Sequence, residues 1–209
     1  MHDFITLLQQ YNLSLLDLTG TIIGLFYIYY QFRVSWKLWL ASFVMSALYV
    51  AINISGGVYG LACITAYYCC AAVYGLWQWL GTRQPSATPP TSTNDTQPPI
   101  SHLPVRLYPR LTAIIVILLL LIAGFLTLLH ETTTRWADAT TSACSIVAMW
   151  LLAKKYIEQW VVWFVVDIIN SVLYLSLGTG YIFSAGLYGF YALTCFFGYW
   201  YWRKQMPQE

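Results

Sequence analysis

Seven long apolar stretches recur along the chain, at 15–32, 36–55, 58–80, 111–129, 137–153, 159–177 and 181–202. Each is close to the roughly 20 residues that a helix needs to cross a bilayer. The pattern therefore predicts an all-α membrane protein of seven transmembrane helices. The interruptions are polar or helix-breaking: Arg33 and Lys37, Gly56-Gly57, HETTTRWAD (130–138), Lys154-Lys155 and Gly178-Thr179-Gly180. One interruption differs in kind. Residues 81–110, GTRQPSATPPTSTNDTQPPISHLPVRLYPR, hold seven of the eight prolines. That composition predicts an extended linker with no packed core of its own. It parts three helices from four.

The sixth stretch carries polar and aromatic residues in register. Trp160, Trp163, Asp167 and Asn170 are spaced i, i+3, i+7 and i+10, which places them along one helix face. Asp167 lies near the middle of its span, where a charged group costs roughly 2.5–3.5 kcal/mol on insertion scales. Such groups usually face a bundle interior or a watery cavity and mark a substrate or ion path. An interhelical hydrogen bond is the alternative role. Aromatic rings beside a carboxylate and an amide suit a flat, polar, cationic ligand. Thr65, Tyr67 and Tyr68 on the third span, and Ser184, Tyr188 and Tyr191 on the seventh, are expected to line the same cavity.

Composition narrows the class. The chain is 59% hydrophobic and 9% charged, against about 25% charged in soluble domains, so lipid is its main solvent. A net charge of +2 without a basic run argues against a nucleic-acid partner. The five cysteines all fall in apolar stretches without metal-ligand spacing and read as small apolar side chains. His2, His102 and His130 lie outside the span interiors, and no GxSxG or HExxH motif occurs. An enzyme is therefore not expected, nor a metal or cofactor. The N-terminal MHDFITLLQQYNLSLLD has no basic residue before its apolar part, unlike a cleaved signal peptide.

Charge also sets direction. With the N-terminus outside and the C-terminus cytoplasmic, nine of the ten basic residues face the cytoplasm and only Arg135 lies outside, as the positive-inside bias requires. Trp36, Trp77, Trp79, Trp136, Trp200 and Trp202 sit at span ends and read as an interfacial aromatic belt.

Spans one to three resemble spans five to seven. WKLW (36–39) matches WVVW (160–163) at an offset of 124, and GLWQW (75–79) matches GYWYW (198–202) at 123. Tyr49 and Tyr174 follow each copy of the first motif. Two copies of an odd-numbered unit point in opposite directions unless another span intervenes, and the fourth span does so. The expected organisation is a first repeat at 15–80, a cytoplasmic linker at 81–110, a lipid-facing connector at 111–129 and a second repeat at 137–202. That is a parallel 3+1+3 arrangement, a known transporter design with its site near the midplane.

Four segments carry a family likeness: GTIIGL (20–25), VYGLWQW (73–79), SIVAMWLLAKKYIEQWVVW (145–163) and LYGF (187–190). On these the chain resembles the PnuC family of bacterial vitamin transporters over almost its whole length. The resemblance implies a SWEET-like fold in the bacterial inner membrane. It also implies facilitated diffusion of a vitamin trapped by cytoplasmic phosphorylation, and in some members a homotrimer. The family's tryptophan pair maps onto Trp160 and Trp163. Nicotinamide riboside members carry amides on the second and third spans, where this chain has Ser42, Thr65 and Ala72. With Asp167 in place of an amide, the resemblance points to thiamine and the PnuT branch first. Nicotinamide riboside is the alternative, and a proton-coupled carrier using Asp167 is another. An alkaline phosphatase fused within residues 82–99 is expected to be inactive; activity there would reverse the orientation.

Overall fold

The computed structural model describes residues 15–55, 59–81, 100–128, 134–176 and 182–206. Among them the apolar stretches form seven helices: α1 Leu15–Phe32, α2 Lys37–Ser55, α3 Tyr59–Gly81, α4 Tyr108–Leu128, α5 Arg135–Ala153, α6 Gln159–Ser176 and α7 Ile182–Gln205. Their bounds agree with the predicted spans to within about a turn. The breaks at Gly56-Gly57 and Gly178-Thr179-Gly180, most of the proline-rich linker and the start of HETTTRWAD lie outside the described residues. Val105–Leu128 and Gln159–Ser176 are each long and apolar enough to cross a membrane, by length and composition.

The chain divides into two compact units, Met1–Gly81 and Thr82–Glu209. In the first, α2 packs against both α1 and α3. In the second, α4, α5, α6 and α7 each pack on the next in chain order. The central helix α5 is buried along most of its length, with Ala139, Ala143, Val147, Ala148 and Leu152 inside. By contrast, Ala123 is the one residue of α4 that is buried. Its Ile117, Leu120, Leu121 and Phe125 are at least half exposed. An apolar face this bare suits lipid rather than water.

Two turns share an unusual build. Helix α5 ends with Lys155 in the left-handed region at φ 57°. The Lys155 N–H donates to Leu152 O at 3.0 Å and the Tyr156 N–H to Leu151 O at 2.9 Å. These are the two bonds of a Schellman cap, whose left-handed position is usually glycine. In the other unit α1 ends the same way. Val34 has φ 51°, with Val34 N–H to Gln31 O at 3.2 Å and Ser35 N–H to Tyr30 O at 3.0 Å. A left-handed residue bearing a Cβ costs roughly 1–2 kcal/mol, so the surrounding packing must fix these turns.

The linker's last residues form a docked strap rather than part of a free tether. Ser101 makes a parallel bridge with Tyr156: Ser101 N–H donates to Lys155 O at 3.2 Å and Ile157 N–H to Ser101 O at 3.1 Å. Glu158 then holds the strap through its carboxylate. It accepts from the Leu103 N–H at 2.9 Å, pairs with His102 Nδ1 at 2.9 Å and receives the Tyr108 hydroxyl at 3.5 Å. Leu103 packs into a cluster with Val147 and Leu151, bordered by Leu107, Leu111, Tyr156 and Val162. Burial in this turn pushes the Lys155 amine down to about 7.

Glu158→Ala removes the acceptor of the half-buried Leu103 N–H, a loss of about 1–3 kcal/mol. Glu158→Gln keeps an acceptor there and is expected to lose less. Melting temperatures in detergent should rank wild type, Gln and Ala in that order.

Candidate functional site

The α6 face that carries Trp160, Trp163, Asp167 and Asn170 is turned inward, whereas Val161, Phe164, Val165 and Ile168 are exposed. That face meets α7 in antiparallel register. Trp160, 3% exposed, lies edge-on to Trp202, with ring centroids 5.6 Å apart at 89°. One level along, the Cys195 thiol donates to Asp167 Oδ2 at 3.5 Å. The Ser171 hydroxyl donates to Ala185 O at 2.8 Å. Tyr174 then stacks on Tyr188, with centroids 5.5 Å apart at 13°, and Tyr188 meets the edge of Tyr191.

Asp167 is thus in the seam between two helices, 6% exposed. Its contact with Cys195 is of the interhelical kind. A thiol is a weak donor, but any partner lowers the cost of a carboxyl among apolar neighbours. Sequence reasoning missed Cys195, because its apolar setting concealed a polar use.

Trp163 and Asn170 lie on the same inward side, off the line of contacts that joins Trp160, Asp167, Ser171 and Tyr174 to α7. Both are half-buried. The Trp163 indole N–H is shielded from solvent and has no hydrogen-bond partner among the described residues. A buried donor left in this state costs free energy, and a ligand acceptor would relieve it.

The other expected site residues belong to the first unit. Ser42 on α2 is 8% exposed. On α3, Thr65 is half-buried and bonds back to Ala62 O in its own helix at 3.0 Å. Tyr68 is half-buried beside Tyr67. The side chain of Ser184 lies outside the described residues.

The aromatic belt divides. Trp77, Trp136 and Trp200 are more than half exposed. Arg135 lies 5.3 Å from the Trp136 ring and Lys204 Nζ 3.5 Å from the Trp200 ring, as expected of interfacial anchors. Trp79 and Trp202 correct the expectation: both are 0% exposed. Trp202 faces Trp160, and Trp79 faces Trp39 with the same centroid distance of 5.6 Å and the same angle of 89°. In each case the ring of the earlier tryptophan lies on a glycine. An added Cβ on Gly198 would sit 2.6 Å from Cη2, Cζ2 and Cζ3 of Trp160. One on Gly75 would overlap Cε2, Cζ2 and Cη2 of Trp39.

These local matches between the two units differ in register from the sequence match. Aligning WKLW with WVVW pairs Trp36 with Trp160. The Schellman turns at Val34 and Lys155 and the tryptophans on glycine pair Trp39 with Trp160, three residues away.

Comparison with known proteins accords with this build. The family model described as nicotinamide mononucleotide transporter matches residues 14–204. The chain belongs to that family. It is a transporter, not an enzyme. The nicotinamide riboside transporter PnuC of Escherichia coli (strain K12) is 24% identical over 192 residues, covering 80% of this chain and 77% of the relative. The Shigella flexneri protein of the same name matches equally. The crystal structure of the vitamin B3 transporter PnuC superposes with a TM-score of 0.70 at 20% identity, covering 96% of this chain and 86% of that one. The fold is therefore that of a PnuC transporter.

Ser171→Ala removes one interhelical bond and is expected to cost about 1 kcal/mol. Asp167→Asn keeps an oxygen for Cys195 and should melt near wild type. Asp167→Leu, which leaves the thiol without its acceptor in a packed seam, should fall below both in thermal unfolding.

Proposed function

We propose that the protein carries nicotinamide riboside, or a vitamin of that chemistry, into the cell by facilitated diffusion. Nicotinamide riboside bears a flat cationic ring, a carboxamide and a ribose. Stacking on an indole favours the ring, and the carboxamide oxygen is an acceptor suited to an indole N–H. The observation that carries this reading is the half-buried indole of Trp163, off the α6–α7 contact line, whose N–H is shielded and has no hydrogen-bond partner among the described residues, with Asn170 on the same face. Family membership and the names of the relatives support it.

The case for thiamine rested on the Asp167 carboxylate as the partner of a cation. That carboxylate accepts from Cys195 within the helix seam, which moves the preference to nicotinamide riboside. The same burial argues against Asp167 as a proton relay open to water, and uptake is expected to be indifferent to a pH gradient. We also propose the 3+1+3 organisation with the N-terminus outside. The matched turns at Val34 and Lys155, and the two tryptophans seated on glycine, support duplication. The exposed apolar face of α4 fits a connector.

Tryptophan-fluorescence titration of the purified protein with nicotinamide riboside, thiamine and riboflavin in parallel tests the assignment. Nicotinamide riboside should bind most tightly. Trp163→Ala should weaken it by roughly 0.5–2 kcal/mol, about two- to thirtyfold. Tighter binding of thiamine would restore the alternative, and unchanged binding by Trp163→Ala would move the site elsewhere.

A further inference from the structure

The family likeness gives the two tryptophans of WVVW one role, but their surroundings differ. Trp163 is half-buried and lies off the line of contacts that joins α6 to α7. Trp160 has its six-membered ring pressed into the space left by the missing side chain of Gly198 and its edge against Trp202. The first unit repeats the Trp160 arrangement with Trp39, Gly75 and Trp79. It does not repeat Trp163, because the residue three after Trp39 is Ser42. A feature present in both units at the same ring distance and angle meets a need common to both hairpins. A feature present in one is free to serve the substrate.

We infer that Trp160 is a positioning residue: with Gly198 and Trp202 it locks the α6–α7 hairpin, as Trp39 with Gly75 and Trp79 locks α2–α3. Each lock sits at the start of the first helix of its hairpin and the end of the second. Trp160 thereby fixes the rotation of α6 about its axis. That rotation decides where Trp163, one turn along, points. Trp160 acts on the vitamin through Trp163, a statement that rests on the transport reading above. The lock itself rests on geometry alone. The two hairpins then move as rigid bodies during transport, because opening either one would leave a cavity the size of an indole ring over a glycine.

The test exploits the clash. Alanine at Gly198 collides with Cζ2, Cζ3 and Cη2 of Trp160, atoms that phenylalanine lacks. Gly198→Ala should lower the melting temperature by about 5 °C, the scale of an overpacked core. Adding Trp160→Phe to it should restore most of that loss. Gly75→Ala with Trp39→Phe should behave alike in the other unit, so the idea survives if one of the pairs folds poorly. In proteoliposome uptake of nicotinamide riboside, Trp160→Phe combined with Gly198→Ala should keep KM within about twofold of wild type, whereas Trp163→Phe raises it. Failure of both double variants to recover stability would overturn the lock. A rise in KM for the rescued Trp160→Phe pair as large as for Trp163→Phe would make Trp160 a direct contact and overturn the division of roles. If wild type fails to take up nicotinamide riboside, the substrate assignment falls, and the melting series still decides the lock.

Discussion

An indole ring resting where a side chain is missing sets the packing of both hairpins. Among apolar helices in lipid, burial offers little drive, and association depends on close approach and fit. Gly75 and Gly198 permit that approach, and Trp39 and Trp160 fill the space it opens. Once Trp160 is seated on Gly198, the register of the whole seam follows. Asp167 comes opposite Cys195, Ser171 reaches the carbonyl of Ala185, and Tyr174 lies flat on Tyr188. Shifting the seam by one residue would break every one of these pairs together.

The helices were legible because long apolar runs bounded by arginine, lysine, glycine or proline leave few other readings. The inward face of α6 was legible for a similar reason: one polar and aromatic row among exposed aliphatics defines its own direction. What that face meets was harder to read. Trp79 and Trp202 stand at span ends, where a tryptophan can turn out to the interface or in to a neighbour, and position alone does not separate the two. The distinguishing signal was the glycine four residues earlier in GLWQW and GYWYW, which marks the turn of the helix that another ring can approach. The two units can be matched in more than one register for a related reason. Matching tryptophans by letter favoured an offset of 124, while the backbone turns at Val34 and Lys155 set it at 121. Neither turn has the glycine that would announce it.

Polar groups in the second unit divide between two tasks. Cys195 donates to Asp167 and Ser171 to the Ala185 carbonyl, and both bonds hold the seam between helices. Trp163 and Asn170 sit just off that seam, and the Trp163 N–H has no hydrogen-bond partner among the described residues. A carrier needs both kinds. Polar groups committed to protein partners give rigidity, and uncommitted ones give a ligand a reason to stop. In the proposed reading, the carboxylate that stood out in the sequence belongs to the first group, and a neutral indole to the second.

The strap from Ile100 to Leu103 also bears on how this chain can vary. Its anchor lies on the second unit, at Ser101 and Glu158, before α4 begins. Residues inserted ahead of Ile100 therefore leave the start of α4 where it is. The entropy of closing a longer loop grows only with the logarithm of its length, about 0.6 kcal/mol for each doubling. The join between the two units is thus a place where length can drift across relatives without disturbing a helix, and where a foreign domain could be spliced into the chain.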